Sequence, residues 1–228
     1  LDVICFNEVP HGNWTLRVGR ELGMKHVHVG KVSSANHKDK YKSILSRFPL
    51  RDKSEVAFDS KGWKPASVVT ARTNIKGVPL TLYSTHIPGQ PDVENSAASF
   101  ISKQMLSDPH DDNLFVLGDF NNLLFEGALK AFKEAGMKSI WHGLSINTDS
   151  ISTHRHIESG NESGVIDHIF YRSTKIKVKV TNGGVIEKAY NSAEKEIEMD
   201  RYKKEWLKYE KPLSDHRPIW AEFTFMHD

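Results

Sequence analysis

The chain has 228 residues, of which 38% are apolar and 10% aromatic. That length suits one domain with a sizeable core and is short for two. A formal net charge of +2 excludes a strongly basic molecule, so any affinity for nucleic acid would require a local basic patch. The single cysteine, Cys5, excludes an internal disulfide bond.

Targeting signals are not evident in the sequence. No run is long or apolar enough to cross a membrane, and no signal peptide is recognisable. The chain begins with Leu1 rather than Met, which is compatible with a processed or trimmed N-terminus. We therefore expect a soluble protein and leave its compartment open.

The first half of the chain predicts mostly short strands. Asn13 can cap a helix that ends near Leu22, because Asn accepts a bond from the first free amides of a helix. Two later strands form a hairpin with Lys76 and Gly77 near its tip. The predicted strands cover residues 1–6, 24–29, 44–50, 55–58, 66–72 and 79–84.

The second half alternates helices, strands and one long polar loop. Asn95 is expected to cap a helix over residues 96–105, and Gly136 to end a helix over residues 127–135. Residues 145–164 have the polar composition of a functional loop. The remaining predictions are strands at 114–117, 165–171, 175–180 and 219–225 and a charged helix at 193–211. This pattern favours an α/β or α+β sandwich of two sheets.

The stretch from Leu114 to Asn122 reads Leu-Phe-Val-Leu-Gly-Asp-Phe-Asn-Asn. Its apolar start predicts a strand buried on both faces, and strand alternation would place Asp119 and Asn121 on one side. Such a pair can hold a metal-bound water or a phosphate oxygen. The alternative is a polar turn in which both side chains bond their own backbone.

Comparable polar residues follow several other predicted strands. Carboxylates suit a hard divalent cation, and histidines can donate to phosphate oxygens or move protons near neutral pH. Together they fit metal-assisted hydrolysis of a phosphoester. The full set is Glu8, His86, Asp119 with Asn121, Asp167, and Asp215 with His216.

Five motifs in order resemble the endonuclease/exonuclease/phosphatase superfamily, which has the deoxyribonuclease I-like fold. The resemblance runs from residue 1 to Phe225. The motifs are Asn7-Glu8, Ser84-Thr85-His86, Gly118-Asp119-Phe120-Asn121, Ile166-Asp167-His168-Ile169-Phe170 and Ser214-Asp215-His216. The resemblance implies a four-layered α+β sandwich, in which helices flank two packed mixed β-sheets and the active site lies at one edge.

The resemblance also implies roles for the residues. Glu8 would be the principal Mg²⁺ ligand, with Mn²⁺ as an alternative ion, and Asp215 would support the metal. Asp119 and Asn121 would orient the attacking water or the phosphate. His216, held by Asp167, would contact the phosphate and act as base or electrostatic stabiliser, with Asp119 as the rival base. His86 would bind phosphate and assist the leaving group.

Three features depart from the family pattern, and one of them is Asn122, at a position where a small residue is commoner. The family usually has an earlier strand that carries an Asn beside the metal, whereas this sequence begins one strand later. We therefore expect residues 1–228 to form a single catalytic domain without that strand. Asn7 replaces the family's usual Gln before the metal-binding Glu.

The implied substrate is a phosphoester, and a phosphodiester is favoured. Nucleic acid is a modest favourite, because a nuclease would use Arg47, Lys61, Lys64, Arg72 and the loop at 153–156 to grip the backbone. The alternatives are a sphingomyelinase-type lipid phosphodiesterase, for which Trp63 and Trp141 are weak membrane contacts, a sugar or inositol phosphatase, and a catalytically silent binding module. The sequence implies no protein partner.

Overall fold

The structure is a computed structural model that describes residues 1–108, 112–156, 159–186 and 214–226. Its strands are β1 Val3–Val9, β2 His26–Val29, β3 Tyr41–Ser46, β4 Arg51–Phe58, β5 Ala66–Ile75, β6 Val78–His86, β7 Asn113–Asp119, β8 Lys138–Ser139, β9 Asp167–Ser173, β10 Lys177–Val185 and β11 Ile219–Met226. Its helices are α1 Trp14–Glu21, α2 Ala97–Ser107, α3 Lys130–Glu134 and α4 Ile140–Gly143, with short 3₁₀ turns at Ser34–Asn36, Gly127–Leu129 and Thr148–Ser150.

A six-stranded mixed sheet forms the centre of the molecule. Its strand order is β4-β5-β6-β7-β9-β8, in which β6 and β7 are parallel and the other neighbours are antiparallel. The hairpin of β5 and β6 turns at Lys76 and Gly77, as predicted. The central strand β7 is apolar along most of its length because both faces of the sheet are covered.

The second sheet layer consists, in the described part of the chain, of two antiparallel sheets. One has the order β1-β3-β2, and the other pairs β10 with β11. Side chains of β3 alternate between layers: Ile44 enters the core toward the central sheet, whereas Leu45 and Ser43 face α1. The α1 helix therefore covers the outer face of this layer.

Two apolar cores hold the layers together. The first lies between the central sheet and the helices α2 and α3, where Phe120, Phe132 and Phe170 pack edge-to-face or stacked. The second lies between the central sheet and the two smaller sheets and includes Ile44, Phe115 and Trp141. Helices and sheets thus form the four-layered α+β sandwich that the sequence predicts.

Several element boundaries differ from the prediction. Ser96, not Asn95, caps α2, because the Ser96 hydroxyl accepts a bond from the Ser99 amide and Asn95 has a φ of +54°. The β4 strand begins at Arg51, four residues before the predicted start at Glu55. Its first half is exposed and charged, so it has no apolar pattern from which a strand could be predicted. The predicted helix 193–211 lies outside the described residues. Among the helices that are described, none has the length and apolarity needed to span a membrane.

Candidate active site

Strand register brings three of the predicted site residues into one row. His86 at the end of β6 is paired with Asp119 at the end of β7, and Asp119 is paired with Asp167 at the start of β9. Residues that are directly opposite on neighbouring strands project from the same face of the sheet. The carboxyl ends of β6 and β7 and the start of β9 therefore place an imidazole and two carboxylates side by side.

The close packing of β6 and β7 at this row depends on Gly118. A Cβ atom at Gly118 would lie 1.8 Å from the carbonyl oxygen of Thr85, so only glycine fits. The side chain of Asn7 also joins the two strands. In the amide orientation that satisfies both partners, Asn7 donates to Thr85 O at 3.1 Å and accepts from Asp119 N at 2.8 Å. Asn7 therefore positions the backbone of Asp119.

The polar side chains form a continuous line, which we call the acid–imidazole row. It runs Glu8, His86, Asp119, His216 and Asp167. Successive atoms are separated by 3.8 Å (Glu8 Oε1 to His86 Nδ1), 3.1 Å (His86 Nε2 to Asp119 Oδ2), 3.7 Å (Asp119 Oδ2 to His216 Nε2) and 2.8 Å (His216 Nδ1 to Asp167 Oδ2). Carboxylates and imidazoles alternate, so each imidazole lies between two acids.

The charge states follow from this alternation. Burial lowers the pKa of His216, but the hydrogen bond to Asp167 and the nearby carboxylates outweigh burial and raise the pKa to about 9. Burial tends to raise the pKa of Asp119, but the His86 bond and both imidazoles lower it overall. For Asp167, burial dominates and raises the pKa despite the His216 contact. Asp119 is thus held as a carboxylate more firmly than Asp167.

Asn121 lies beside Asp119, but not by strand alternation. The strand ends at Asp119, and Asn121 has a φ of +49°, so the chain turns there. The Asn121 amide N–H donates to Asp119 Oδ1 at 2.9 Å, and its Nδ2 donates to Ile87 O at 3.0 Å. This is the backbone-bonded turn that the sequence left open as an alternative, and it still brings Asn121 to the site.

Glu8 reaches the row from a distorted strand. The register between β1 and β3 shifts between Phe6 and Val9, and Glu8 has a φ of +52°. Such bulges re-aim a side chain at the end of a strand. The carboxylate of Glu8 makes a direct ion pair with Lys40, a residue that the sequence analysis did not select. Glu8 is 43% exposed and remains accessible.

Asp215 lies at the other end of the row, next to His154. Asp215 Oδ2 is 3.6 Å from His154 Nε2, and the rings of His154 and His216 are 4.7 Å apart. His154 was predicted only as part of a polar loop. Its selection as a site residue would have required knowing that residues 153–155 pair with 215–217, as the bonds Arg155 N to Asp215 O and Arg217 N to Thr153 O show.

Two tryptophans contact histidines at or next to the site. Trp63 packs edge-on against the His86 ring at 4.7 Å. Trp141 is fully buried and donates from Nε1 to His168 Nδ1 at 3.2 Å, and His168 Nε2 donates to Asn122 O at 2.9 Å. His168 is therefore the Nε2–H tautomer, and it fixes the loop that carries Asn121 and Asn122. The sequence singled out His168 only as part of a motif.

Two groups of side chains have the composition of a divalent-cation site. One is His154, Asp215 and His216, and the other is Asp119, Asp167 and His216; the ligand atoms of each lie within 4.8 Å of one another. Their carboxylates suit Mg²⁺ or Mn²⁺, whereas imidazoles are more typical ligands of transition metals such as Zn²⁺. Within the described residues neither group includes Glu8, and the roles of Glu8 and Asp215 as metal ligands stay a prediction.

Of the basic residues considered for nucleic acid, Arg47 and Arg72 lie away from the site. Arg47 follows β3 where Ser46 pairs with Val3, at the opposite end of β1 from Glu8. Arg72 pairs with Thr81 in β6, five residues before His86 and roughly 16 Å along the strand.

Comparisons with known proteins agree on the fold. The model of the family described as Endonuclease/Exonuclease/phosphatase family matches residues 1–216. Similar solved structures include D. rerio TDP2 complexed with single-strand DNA product (13% identity, 98% of this chain and 86% of that chain, TM-score 0.66) and a Leptotrichia buccalis protein of that family (18%, 98% and 88%, 0.68). A mannosyl-6-phosphatase from Bacteroides thetaiotaomicron is also similar (19%, 99% and 86%, 0.66). No match is found among curated proteins.

Proposed function

The chain belongs to the endonuclease/exonuclease/phosphatase family, whose members hydrolyse phosphoesters, and from this premise we propose that it hydrolyses a phosphoester bond by divalent-metal-assisted attack of water on phosphorus. The acid–imidazole row is the observation that carries the proposal. Its five side chains alternate acid and imidazole, and successive members are no more than 3.8 Å apart. Attack of water on phosphorus requires positioning and charge neutralisation more than covalent chemistry, and this row supplies both.

We propose that Asp119 is the general base, which accepts the proton of the attacking water. Its carboxylate faces His86 at 3.1 Å and His216 at 3.7 Å, so two imidazoles hold it ionised and oriented. The Nδ1 atom of His216 is hydrogen-bonded to Asp167. The Nε2 atom therefore remains to donate to a phosphate oxygen. This geometry favours Asp119 as base and His216 as electrostatic stabiliser over the reverse assignment. Asn121 would orient the water or the phosphate beside Asp119.

The part of His86 is to align its neighbours. Nε2 faces Asp119 and Nδ1 faces Glu8, and the ring is 2% exposed. The predicted contact of His86 with phosphate and leaving group stays a prediction. Among the described residues Nδ1 is 3.8 Å from Glu8 and has no hydrogen-bond partner, so this nitrogen could make the contact. A divalent cation held by Glu8 or by Asp215 would neutralise charge on the phosphate and lower the pKa of water.

The finer substrate prediction is a phosphodiester. Nucleic acid remains a candidate through Lys61, Lys64 and the segment 153–156, although Lys61 is paired with Asp92. The lipid alternative loses support, because Trp141 is fully buried and Trp63 packs on His86. The silent-module alternative has no support from the row, in which every predicted acid and imidazole makes a contact.

The test compares bis-p-nitrophenyl phosphate with p-nitrophenyl phosphate in Mg²⁺, in Mn²⁺ and in EDTA. The proposal expects metal-dependent turnover, with the diester hydrolysed faster. Faster turnover of the monoester would retain phosphoester hydrolysis and overturn the diester prediction. An Asp119→Asn variant should lose about 10²- to 10⁴-fold in kcat, as expected for loss of a general base. An Asp149→Asn variant, altered in an exposed 3₁₀ turn, is the matched control.

A further inference from the structure

A cavity of about 670 Å³ opens directly beside the acid–imidazole row. Three segments form its walls: residues 89–91 after β6, residues 121–127 after β7, and the loop residues 154–156 together with Ser163. Asn121 and His154 belong both to this cavity and to the site. The volume lies in the range of pockets that bind small molecules. A group attached to a phosphate in the site would therefore extend into this cavity.

The walls of the cavity are fixed by local hydrogen bonds. Asn122 and Gln90 bond reciprocally, with Gln90 N donating to Asn122 Oδ1 at 2.9 Å and Asn122 Nδ2 donating to Gln90 O at 2.8 Å. A Cβ atom on Gly127 would lie 2.2 Å from Gln90 O, so the two loops are in close contact. These bonds occupy the side-chain amide of Asn122, and the side-chain amide of Gln90 donates to Lys61 O and accepts from Ala97 N. Recognition of a ligand is left to other side chains.

The charge of the lining is distinctive. No lysine or arginine lines the cavity in the described part of the chain, and Glu126 supplies its one carboxylate. Over the same residues, the side chain of Glu126 makes no hydrogen bond or ion pair, and the His156 ring has an edge contact with His154 but no hydrogen bond. Glu126 and His156 are therefore available as an acceptor and a polar partner.

We propose that this cavity binds the group esterified to the phosphate, and that this group is uncharged and rich in hydroxyls, as in a sugar or another polyol. The proposal rests on the proposed phosphoester hydrolysis. Hydroxyls donate to a carboxylate such as Glu126 and exchange bonds with His156. Pro91, Leu123 and Ile166 add apolar surface, which suits the C–H faces of such a ring.

The same charges disfavour a second phosphate in the cavity. An anionic group would face the exposed carboxylate of Glu126 without a lysine or arginine in the described lining to compensate, and the resulting repulsion disfavours it. A polynucleotide that continued through the cavity would meet this repulsion at its next phosphate. The cavity thus discriminates between a phosphorylated polyol and a polyphosphorylated ligand.

The experiment measures kcat/KM for a hexose 6-phosphate, the hexose 1,6-bisphosphate and p-nitrophenyl phosphate in Mg²⁺. The wild-type protein should prefer the hexose 6-phosphate over the bisphosphate by about ten-fold, the effect of about 1.4 kcal/mol. In Glu126→Gln, the ratio of kcat/KM for the hexose 6-phosphate to that for p-nitrophenyl phosphate should fall about ten-fold, mainly through KM. Glu126→Lys should shift the preference toward the bisphosphate. Glu134→Gln, altered on the exposed side of α3, should match the wild type.

The outcomes separate the cavity from the chemistry. If p-nitrophenyl phosphate is hydrolysed but both Glu126 variants keep the wild-type substrate ratios, the cavity assignment is overturned and the proposed function stands. A wild-type preference for the bisphosphate has the same meaning, and so does hydrolysis of bis-p-nitrophenyl phosphate without hydrolysis of the hexose 6-phosphate. If none of the three esters, and no diester, is hydrolysed with any divalent cation, the proposed function fails and the cavity assignment fails with it.

Discussion

His216 and Asp167 lie 49 residues apart in the sequence, yet His216 Nδ1 is 2.8 Å from Asp167 Oδ2. Asp167 begins β9 in the central sheet, whereas His216 lies in a loop before β11. The connection between them is Thr153, which is fully buried and bonds to both segments. Its carbonyl accepts from Arg217 N at 2.7 Å, and its hydroxyl accepts from Ile166 N and Asp167 N, each at 3.1 Å.

Replacing Asp167 by asparagine tests the importance of this pair. Asp167→Asn keeps the size of the side chain but removes the charge that supports protonated His216 and fixes its ring. We expect kcat to fall about 10²- to 10⁴-fold, with a smaller change in KM. The measurement is metal-dependent hydrolysis of bis-p-nitrophenyl phosphate. Unchanged kcat in this variant would show that the pair has no part in the reaction.

Thr153 should contribute to both stability and activity. Thr153→Val removes the hydroxyl that accepts from two buried amides, so we expect a loss of about 1–3 kcal/mol in the free energy of unfolding and a lower kcat. Thr153→Ser keeps the hydroxyl and should restore most of both. Urea denaturation and steady-state kinetics measure the two effects. Equal behaviour of the Val and Ser variants would contradict a role for the hydroxyl.

Two glycines with the same φ angle provide a matched pair. Gly118 and Gly184 both have a φ of +154°, but a Cβ atom on Gly118 would lie 1.8 Å from Thr85 O, whereas nothing lies within 4 Å of one on Gly184. Gly118→Ala should cost about 3 kcal/mol or more and disrupt the row, and Gly184→Ala only about 1–2 kcal/mol of backbone strain. Thermal unfolding compares them. Similar losses of stability in both variants would show that the close contact between β6 and β7 does not determine the cost of a side chain at Gly118.

His168 should make stability depend on pH. Burial lowers its pKa from 6.5 to about 4, against smaller raising effects of the Asn122 carbonyl and Asp119. Between these values the unfolded chain binds a proton that the native state rejects, so the free energy of unfolding falls as the pH falls from 6.5 to 4. The full loss is about 3 kcal/mol.

The check compares wild-type protein with His168→Gln by urea denaturation at pH 7 and pH 4.5. The variant lacks this titration, so its stability should decline less between the two values, although it starts lower because the Trp141 bond is altered. His37→Ala, which changes an exposed histidine, should decline as the wild type does. An identical decline in all three proteins would place the titration elsewhere.

Local sequence patterns predicted the parts of the site that lie at strand ends. His86, Asp119 and Asp167 follow or begin apolar runs, and strand register then brings them together. The contacts of His154, Asn7 and Lys40 depend on pairings between distant segments, which no local pattern encodes. The Ser96 cap was missed because Asn95 and Ser96 are both good capping residues, and the backbone conformation decides between them.

The most direct measurement is hydrolysis of bis-p-nitrophenyl phosphate by wild-type protein and His216→Ala, each with Mg²⁺ and with EDTA. We predict turnover by the wild type that EDTA abolishes and that His216→Ala reduces at least about 10²-fold. His37→Ala serves as the control and should retain wild-type turnover. Turnover that persists in EDTA, or that is undiminished in His216→Ala, would contradict metal-assisted hydrolysis at the acid–imidazole row.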